Sequence, residues 1–174
     1  MLQAMTGLSL IGGGGHALVV LEAAAAAGWD LAGVYDDSRE AAACRLGGLR
    51  HLGMLSEAFV GARLITLGGL ASRRVVIAAF AGVVDDDEWT TVLHPAATVS
   101  KSARIDQGGF VGAGAIVQAF AVVGPHAIIN TGAIVEHECE LGENVHLAPG
   151  AILAGHVRVG SDTLIGMGAR VLPG

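Results

Sequence analysis

From Leu93 onward, every sixth residue of the chain is aliphatic. The series runs Leu93, Val99, Ile105, Val111, Val117, Val123, Ile129, Val135, Leu141, Leu147, Leu153, Val159, Ile165 and Val171. Two residues before each lies something small or β-branched: Ala97, Ala103, Gly109, Ala115, Ala121, Ala127, Ala133, Cys139, Val145 and Ala151. A period of six matches neither the 3.6 of an amphipathic helix nor the 2 of a half-buried strand. It is the hexapeptide period of a parallel β-helix. Each hexad supplies one short strand and one turn, and three hexads close a triangular coil. Residues eighteen apart therefore stack in neighbouring coils, roughly 4.8 Å apart. The aliphatic position fills the prism, and the small position leaves room for the bend.

Upstream of His94 the pattern is mixed. Leu8 to Ile11 is a short apolar run followed by four glycines. Ala17 to Ala27 is rich in strong helix formers, and Gly28 is a natural stop. Leu31 to Tyr35 predicts a second strand, ending at Asp36 and Asp37. Arg63 to Leu67 predicts a strand, Leu70 to Phe80 a helix with Arg73 and Arg74 on its surface, where one could meet a phosphate, Asp85, Asp86 and Asp87 a solvated loop, and Glu88 to Leu93 a last strand leading out. Alternating strands and helices predict a small parallel α/β sheet. The expected organisation is a small Rossmann-like α/β domain over residues 1–92, then a parallel β-helix over 93–174.

Composition narrows the partners. Ten Lys+Arg against 16 Asp+Glu give a formal net charge of −6. No nucleic-acid partner is expected, because a phosphate backbone needs a basic footprint. One phosphorylated ligand held on backbone N–H groups stays compatible with that charge. Hydrophobic residues make up 52% of the chain but aromatics only 4%, with 27 glycines, so the core must be built from small and branched side chains. No apolar run is long enough to span a bilayer, and the N-terminus "MLQAMTGLSLIGGGG" lacks the basic start of a signal peptide. Cys44 and Cys139 form no metal or redox spacing, and Cys139 occupies an inward small position. These features predict a cytoplasmic protein with reduced thiols.

Two stretches carry candidate chemistry. In "NTGAIVEHECEL", His137 stands between Glu136 and Glu138. The prism has no room for an imidazole, so His137 should point outward from a turn. It is either a solvated surface histidine or a base, since a neutral imidazole titrates near working pH. In "IGGGGHALVV", Gly12, Gly14 and Ala17 fit G-x-G-x-x-A after a strand and at the start of a helix. Asp36 and Asp37 follow about where an acid would meet a ribose hydroxyl. Some ninety residues are too few for a two-half dinucleotide fold. One mononucleotide-binding half suits a nucleotide-linked sugar, with its diphosphate on the Gly13, Gly14 and Gly15 amides.

The motifs "IGGGGHALVV", "VYDD", "HPAATVS" and "NTGAIVEHECELGENVHLAPGAILAGHVRVG" occur in one order over nearly the whole chain. Together they resemble the left-handed β-helix sugar acetyltransferases. That family includes nucleotide-sugar N-acetyltransferases of the bacillosamine and perosamine type, and proteins named as sialic-acid O-acetyltransferases. The resemblance implies a left-handed β-helix and acetyl-coenzyme A as co-substrate. It also implies a homotrimer binding acetyl-coenzyme A between neighbouring prisms, and no metal. His137 is then the general base and Glu138 the carboxylate that fixes its tautomer. Asn130 lies near the thioester, His146 lines the acetyl-coenzyme A site, and His16 points toward the sugar. Gly155, one coil beyond His137, offers a backbone N–H to the thioester carbonyl or the pantetheine. The metal-binding histidines of β-helix carbonic anhydrases come as an H-x-x-x-x-H pair, which this chain lacks. Similar proteins usually continue past "VLPG" for another coil that helps enclose coenzyme A, so the β-helix is expected to be short at its C-terminus.

The expected reaction is direct acetyl transfer to the amino group of a nucleotide-linked amino sugar, without an acyl-enzyme. Acetylation of a sugar or sialic-acid hydroxyl would use the same base. A catalytically silent sugar-nucleotide-binding trimer is the non-enzymatic alternative.

Overall fold

The computed structural model describes residues 7–57 and 61–174. The first six residues, read above for their lack of basic charge, lie outside that range. The chain divides into two compact units between Thr90 and Thr91. Among the described residues, no helix is long and apolar enough to cross a membrane.

The first unit is a four-stranded parallel sheet with helices. In chain order it comprises β1 (Leu8–Ile11), α1 (Gly15–Ala26), β2 (Leu31–Tyr35), α2 (Ala42–Arg45), β3 (His51–Gly53), β4 (Arg63–Ile65) and α3 (Leu70–Phe80). The strand order is β3-β2-β1-β4, and all pairs are parallel. β1 is buried at every position, as expected of a central parallel strand. Ile11, Ile65, Val76, Ile77, Phe80 and Trp89 form one cluster, with the Phe80 and Trp89 rings edge to face at 5.9 Å. The predicted helix over 70–80 is observed with those bounds. The short α2 and β3 are additions to the sequence reading.

Two charged features depart from expectation. Arg73, expected on a helix surface, is 1% exposed, and its burial pushes the guanidinium down to about 10. Asp85, Asp86 and Asp87, expected as a solvated loop, lead into a 3₁₀ turn over Asp86–Glu88 with a capping box between Asp85 and Glu88. This turn replaces the start of the strand expected at Glu88. Glu88 Oε1 accepts a hydrogen bond from buried Arg63 Nη2 at 3.1 Å, and Arg63 Nε donates to the Gly61 carbonyl at 3.1 Å. Glu88→Gln removes the charge but keeps the shape. Because Glu88 is 37% exposed, solvent screens part of the pair. The expected loss is about 1–2 kcal/mol, read from urea denaturation; an unchanged midpoint would show that the pair contributes nothing.

The second unit is a left-handed parallel β-helix of two-residue strands. They are β5 (Val92–Leu93), β6 (Thr98–Val99), β7 (Arg104–Ile105), β8 (Phe110–Val111), β9 (Ile116–Val117), β10 (Val122–Val123) and β11 (Ile128–Ile129). The series continues with β12 (Ile134–Val135), β13 (Glu140–Leu141), β14 (His146–Leu147), β15 (Ile152–Leu153), β16 (Arg158–Val159), β17 (Leu164–Ile165) and β18 (Arg170–Val171). They stack into three faces, β7-β10-β13-β16, β5-β8-β11-β14-β17 and β6-β9-β12-β15-β18. Register pairs such as Val122 with Glu140 and Ile134 with Ile152 confirm the eighteen-residue coil. The periodic aliphatics from Val111 to Val159 and the small residues between them make one continuous core, with Cys139 fully buried in it. Toward the ends the same positions are less covered, and Leu93 is 40% exposed.

The corners explain where side chains can leave this prism. From Gly108 to Gly168, each corner places one residue in the left-handed region. Gly114, Gly132, Gly150 and Gly168 fill one column with glycine, at φ between 64° and 69°. A second column holds Gly108, His126, Asn144 and Asp162. The third holds Phe120, Glu138 and His156, at φ 59°, 57° and 61°. Left-handed backbone costs a non-glycine residue on the order of 1–3 kcal/mol, least for Asn and Asp. The third column accepts that strain at three successive coils with side chains that carry chemistry or exposed apolar surface.

Candidate active site

His137 and Glu138 are the two residues of one corner turn, between β12 and β13. The left-handed backbone of Glu138 turns its carboxylate back to the preceding side chain, and its Oε2 lies 3.1 Å from His137 Nδ1. A carboxylate only accepts, so Nδ1 carries the proton and the Nε2 lone pair is left as the basic site. The His137 ring is about half exposed, outside the prism as expected. Glu136, the other flanking carboxylate, makes no contact with the ring among the described hydrogen bonds and ion pairs.

Gly155 occupies the corner one coil on, directly under the imidazole. A Cβ at Gly155 would lie 2.5 Å from His137 Cε1 and 2.6 Å from Nε2. Glycine is therefore what allows the ring to lie flat on the next coil. Its neighbour His156 completes the cluster: His156 Nε2 is 3.3 Å from the same Glu138 Oε2, and the two imidazoles meet edge to face at 5.2 Å. His156, which with His126 could suggest zinc in the sequence, is discounted there because no H-x-x-x-x-H pair is present. Its spacing of eighteen from Glu138 is the signal that would have found it.

Asn130 and His146 form a second pair on a different corner and face. Asn130 is buried, its Oδ1 accepts the Thr131 N–H at 2.8 Å, and its Nδ2 lies 3.2 Å from His146 Nε2. His146 sits in β14, on the face of β5, β8, β11 and β17. The corner turn of His137 leads instead into β13, on the face of β7, β10 and β16. Along that face runs a groove of about 1290 Å³, lined by Phe120, Val122, Glu138, His156 and Arg158 among others. Phe120 is exposed there, and Arg158 pairs with Glu140 at 3.3 Å.

In the first unit the four glycines have separate jobs. Gly12 is left-handed, at φ 97°, and packs on Leu67. Gly13 is buried; a Cβ there would lie 2.7 Å from the Ala41 Cβ, and its N–H donates to Asp36 Oδ2 at 2.7 Å. That amide is thus already used, and so is most of the Asp36 carboxylate, whose Oδ1 accepts from Ser38 N–H at 2.8 Å. Asp37 Oδ1 accepts the Leu55 N–H at 3.1 Å. Gly14 and Gly15 are exposed, with open space where their Cβ atoms would be. They cap and begin α1, which has no side-chain cap and no acid in its first turn. His16 is half-buried beside Gly68. Thr66, missed in the sequence, is buried and donates from Oγ1 to the Gly12 carbonyl, tying the glycine turn to the end of β4.

Comparison with known proteins fits this arrangement. Residues 7–79 match the PglD N-terminal domain, and residues 120–155 match the bacterial transferase hexapeptide (six repeats). The acetyltransferase domain of PglB from Neisseria gonorrhoeae FA1090, solved in complex with acetyl coenzyme A, is 36% identical. The match covers 94% of this chain and 80% of that one, with a TM-score of 0.83. The chain belongs to the left-handed β-helix sugar acetyltransferases. PerB from Caulobacter crescentus, solved with CoA and GDP-perosamine, is another member of similar build. It is 31% identical over 96% of this chain and 89% of its own, with a TM-score of 0.78. WeeI from Acinetobacter baumannii AYE, at 18% identity and a TM-score of 0.72, shares the fold. As a sugar acetyltransferase of this family, the protein is an acyltransferase.

Proposed function

We propose that this protein transfers the acetyl group of acetyl-coenzyme A to the amino group of a nucleotide-linked amino sugar. The observation that carries the reading is the His137–Glu138 pair, seated on Gly155 with its Nε2 lone pair unclaimed by Glu138. The similarity to PglB with acetyl coenzyme A and to PerB with CoA and GDP-perosamine supports it.

In the proposed reaction the acceptor amine attacks the thioester carbonyl carbon. His137 Nε2 takes the proton the amine must lose, and Glu138 stabilises the resulting imidazolium. The tetrahedral intermediate collapses with loss of the coenzyme A thiolate, which recovers that proton from His137. The Gly155 backbone N–H is the candidate donor to the oxyanion. The pantetheine arm lies in the groove beside Phe120, and Asn130 and His146 contribute to acetyl-coenzyme A binding across a trimer of chains. No nucleophile in the cluster calls for an acyl-enzyme. Cys139, the nearest thiol in sequence, is buried in the core, and burial pushes its pKa up.

The sugar nucleotide is held at the α1 N-terminus. Gly14 and Gly15 offer free amides and a positive helix end to the diphosphate, and His16 faces the sugar. Gly13 and Asp36 act from behind, fixing the turn, while Asp37 borders the site for the nucleoside. Gly15→Asp tests this. The new carboxylate has room, and as the first residue of α1 it favours the helix. It repels the diphosphate, so KM for the sugar nucleotide rises about tenfold while kcat holds. An unchanged KM would place the nucleotide elsewhere.

The deciding experiment follows coenzyme A release with UDP- and GDP-linked 4-amino sugars, free sialic acid and CMP-sialic acid. Turnover with an amino sugar is expected. Turnover only with sialic acid would replace the reading with O-acetylation, and nucleotide binding without turnover would make the protein a silent binder.

A further inference from the structure

The His137–Glu138–His156 cluster does more than orient a base. One carboxylate oxygen, Glu138 Oε2, is shared between two imidazole nitrogens at 3.1 and 3.3 Å. One ligand atom from each of His137, Glu138 and His156 lies within 4.8 Å of the others. Two ligand atoms about 2.1 Å from a tetrahedral ion stand roughly 3.4 Å apart. Both nitrogen–oxygen edges, at 3.1 and 3.3 Å, are close to that length, and both rings are exposed. Two neutral imidazoles and a carboxylate are a ligand set that takes zinc, leaving one position for water.

The placement of His156 is a separate observation. The proton transfer as proposed uses His137 and Glu138 and gives His156 no part in it. Yet His156 occupies a left-handed corner at φ 61°, where Gly or Asn would turn the chain with less strain. From that corner His156 Nε2 reaches the same Glu138 Oε2 that His137 Nδ1 contacts.

We propose that His137, Glu138 and His156 form an inhibitory binding site for zinc or a similar borderline divalent cation. Bound metal takes His137 Nδ1, so the ring proton moves to Nε2 and the lone pair that would accept the amine proton is gone. Transfer stops without any change of fold. Hard cations such as Mg²⁺, which favour oxygen ligands, do not compete. Binding stands on the cluster alone; the inhibitory effect rests on the base role proposed for His137.

The test uses the full, untagged, chelator-treated chain. Zn²⁺ is titrated by calorimetry, and Co²⁺ is followed by its visible absorption as a low-coordinate probe. One ion per chain and a visible Co²⁺ band are expected. His156→Asn keeps the left-handed turn and removes one ligand. It should weaken Zn²⁺ binding by at least ~10–100-fold, the range typical for loss of a metal ligand's supporting partner. In the wild type, Zn²⁺ should abolish coenzyme A release, EDTA should restore it, and millimolar Mg²⁺ should have no effect. Absence of the heat and the band, or equal affinity in His156→Asn, overturns the site. Tight binding that leaves transfer intact upholds the site and overturns the base role of His137.

Discussion

His137→Ala lowers kcat for acetyl transfer by about 10²- to 10⁴-fold, the range typical for loss of a positioned general base. KM for acetyl-coenzyme A changes little, because the imidazole acts on the acceptor's proton. The protein still folds: the ring is about half exposed and lies outside the prism, so its removal opens no cavity in the core. Glu138→Gln gives a smaller loss. The amide can still accept from Nδ1–H and hold the tautomer, but it no longer stabilises the imidazolium formed in transfer. A Gln side chain also keeps the left-handed corner no worse than Glu does. Initial rates of coenzyme A release, with far-UV circular dichroism to confirm folding, separate the two variants. Equal rates in wild type and His137→Ala would remove His137 from the mechanism. A Glu138→Gln loss as deep as that of His137→Ala would mean that the carboxylate does more than orient and stabilise.

Much of the β-helix was legible because one physical rule repeats. A coil that buries one aliphatic per hexad writes its own register into the sequence, and that register predicts which residues stack. Gly155 under His137 follows from it directly. His156 beside Glu138 follows from the same rule, although the motif drew attention only to the histidine between two acids. The choice of Glu138 over Glu136 came from the family resemblance and not from the residues themselves. It depends on the left-handed φ of Glu138, which no propensity of glutamate foretells. In the α/β unit the long periodic elements were readable and the short ones were not. A four-residue helix such as α2 or a three-residue strand such as β3 displays too little of its period to be recognised. The glycine turn shows another limit. Gly13, Gly14 and Gly15 read as one phosphate cradle, yet Gly13 serves packing against Ala41, as Gly12 does against Leu67, and only Gly14 and Gly15 stay open. Close approach of backbone and exposure of an amide both select glycine, and the sequence alone does not separate them. Arg73 was misjudged for a related reason: on a helix of mixed face, the tertiary sheet decides which side is covered.

Gly155→Ala separates catalysis from stability more sharply than any change to the imidazole itself. The backbone of Gly155 lies outside the left-handed region, so alanine meets no conformational penalty there. Its Cβ would fall 2.5–2.6 Å from the His137 ring, closer than any stable contact. The atoms it meets are the outer end of an exposed side chain, not backbone, and the ring can swing away at little cost. Stability should thus stay within about 0.5 kcal/mol, as for an ordinary surface substitution. The base does not stay in place. A displacement of about 1 Å in a reacting group costs on the order of 10²-fold in rate, and the swing also strains the Nδ1 contact with Glu138. The expected result is kcat reduced about 100-fold with an unaltered urea midpoint and an intact KM for the sugar nucleotide. The methyl group also reports on the proposed zinc site, since a ring turned off Gly155 carries its Nδ1 away from Glu138 and weakens Zn²⁺ binding in parallel. Full activity in Gly155→Ala would show that the observed seat of the imidazole is not the one used in transfer. A large loss of stability would show instead that this corner holds the coil together and that His137 is locked there by packing.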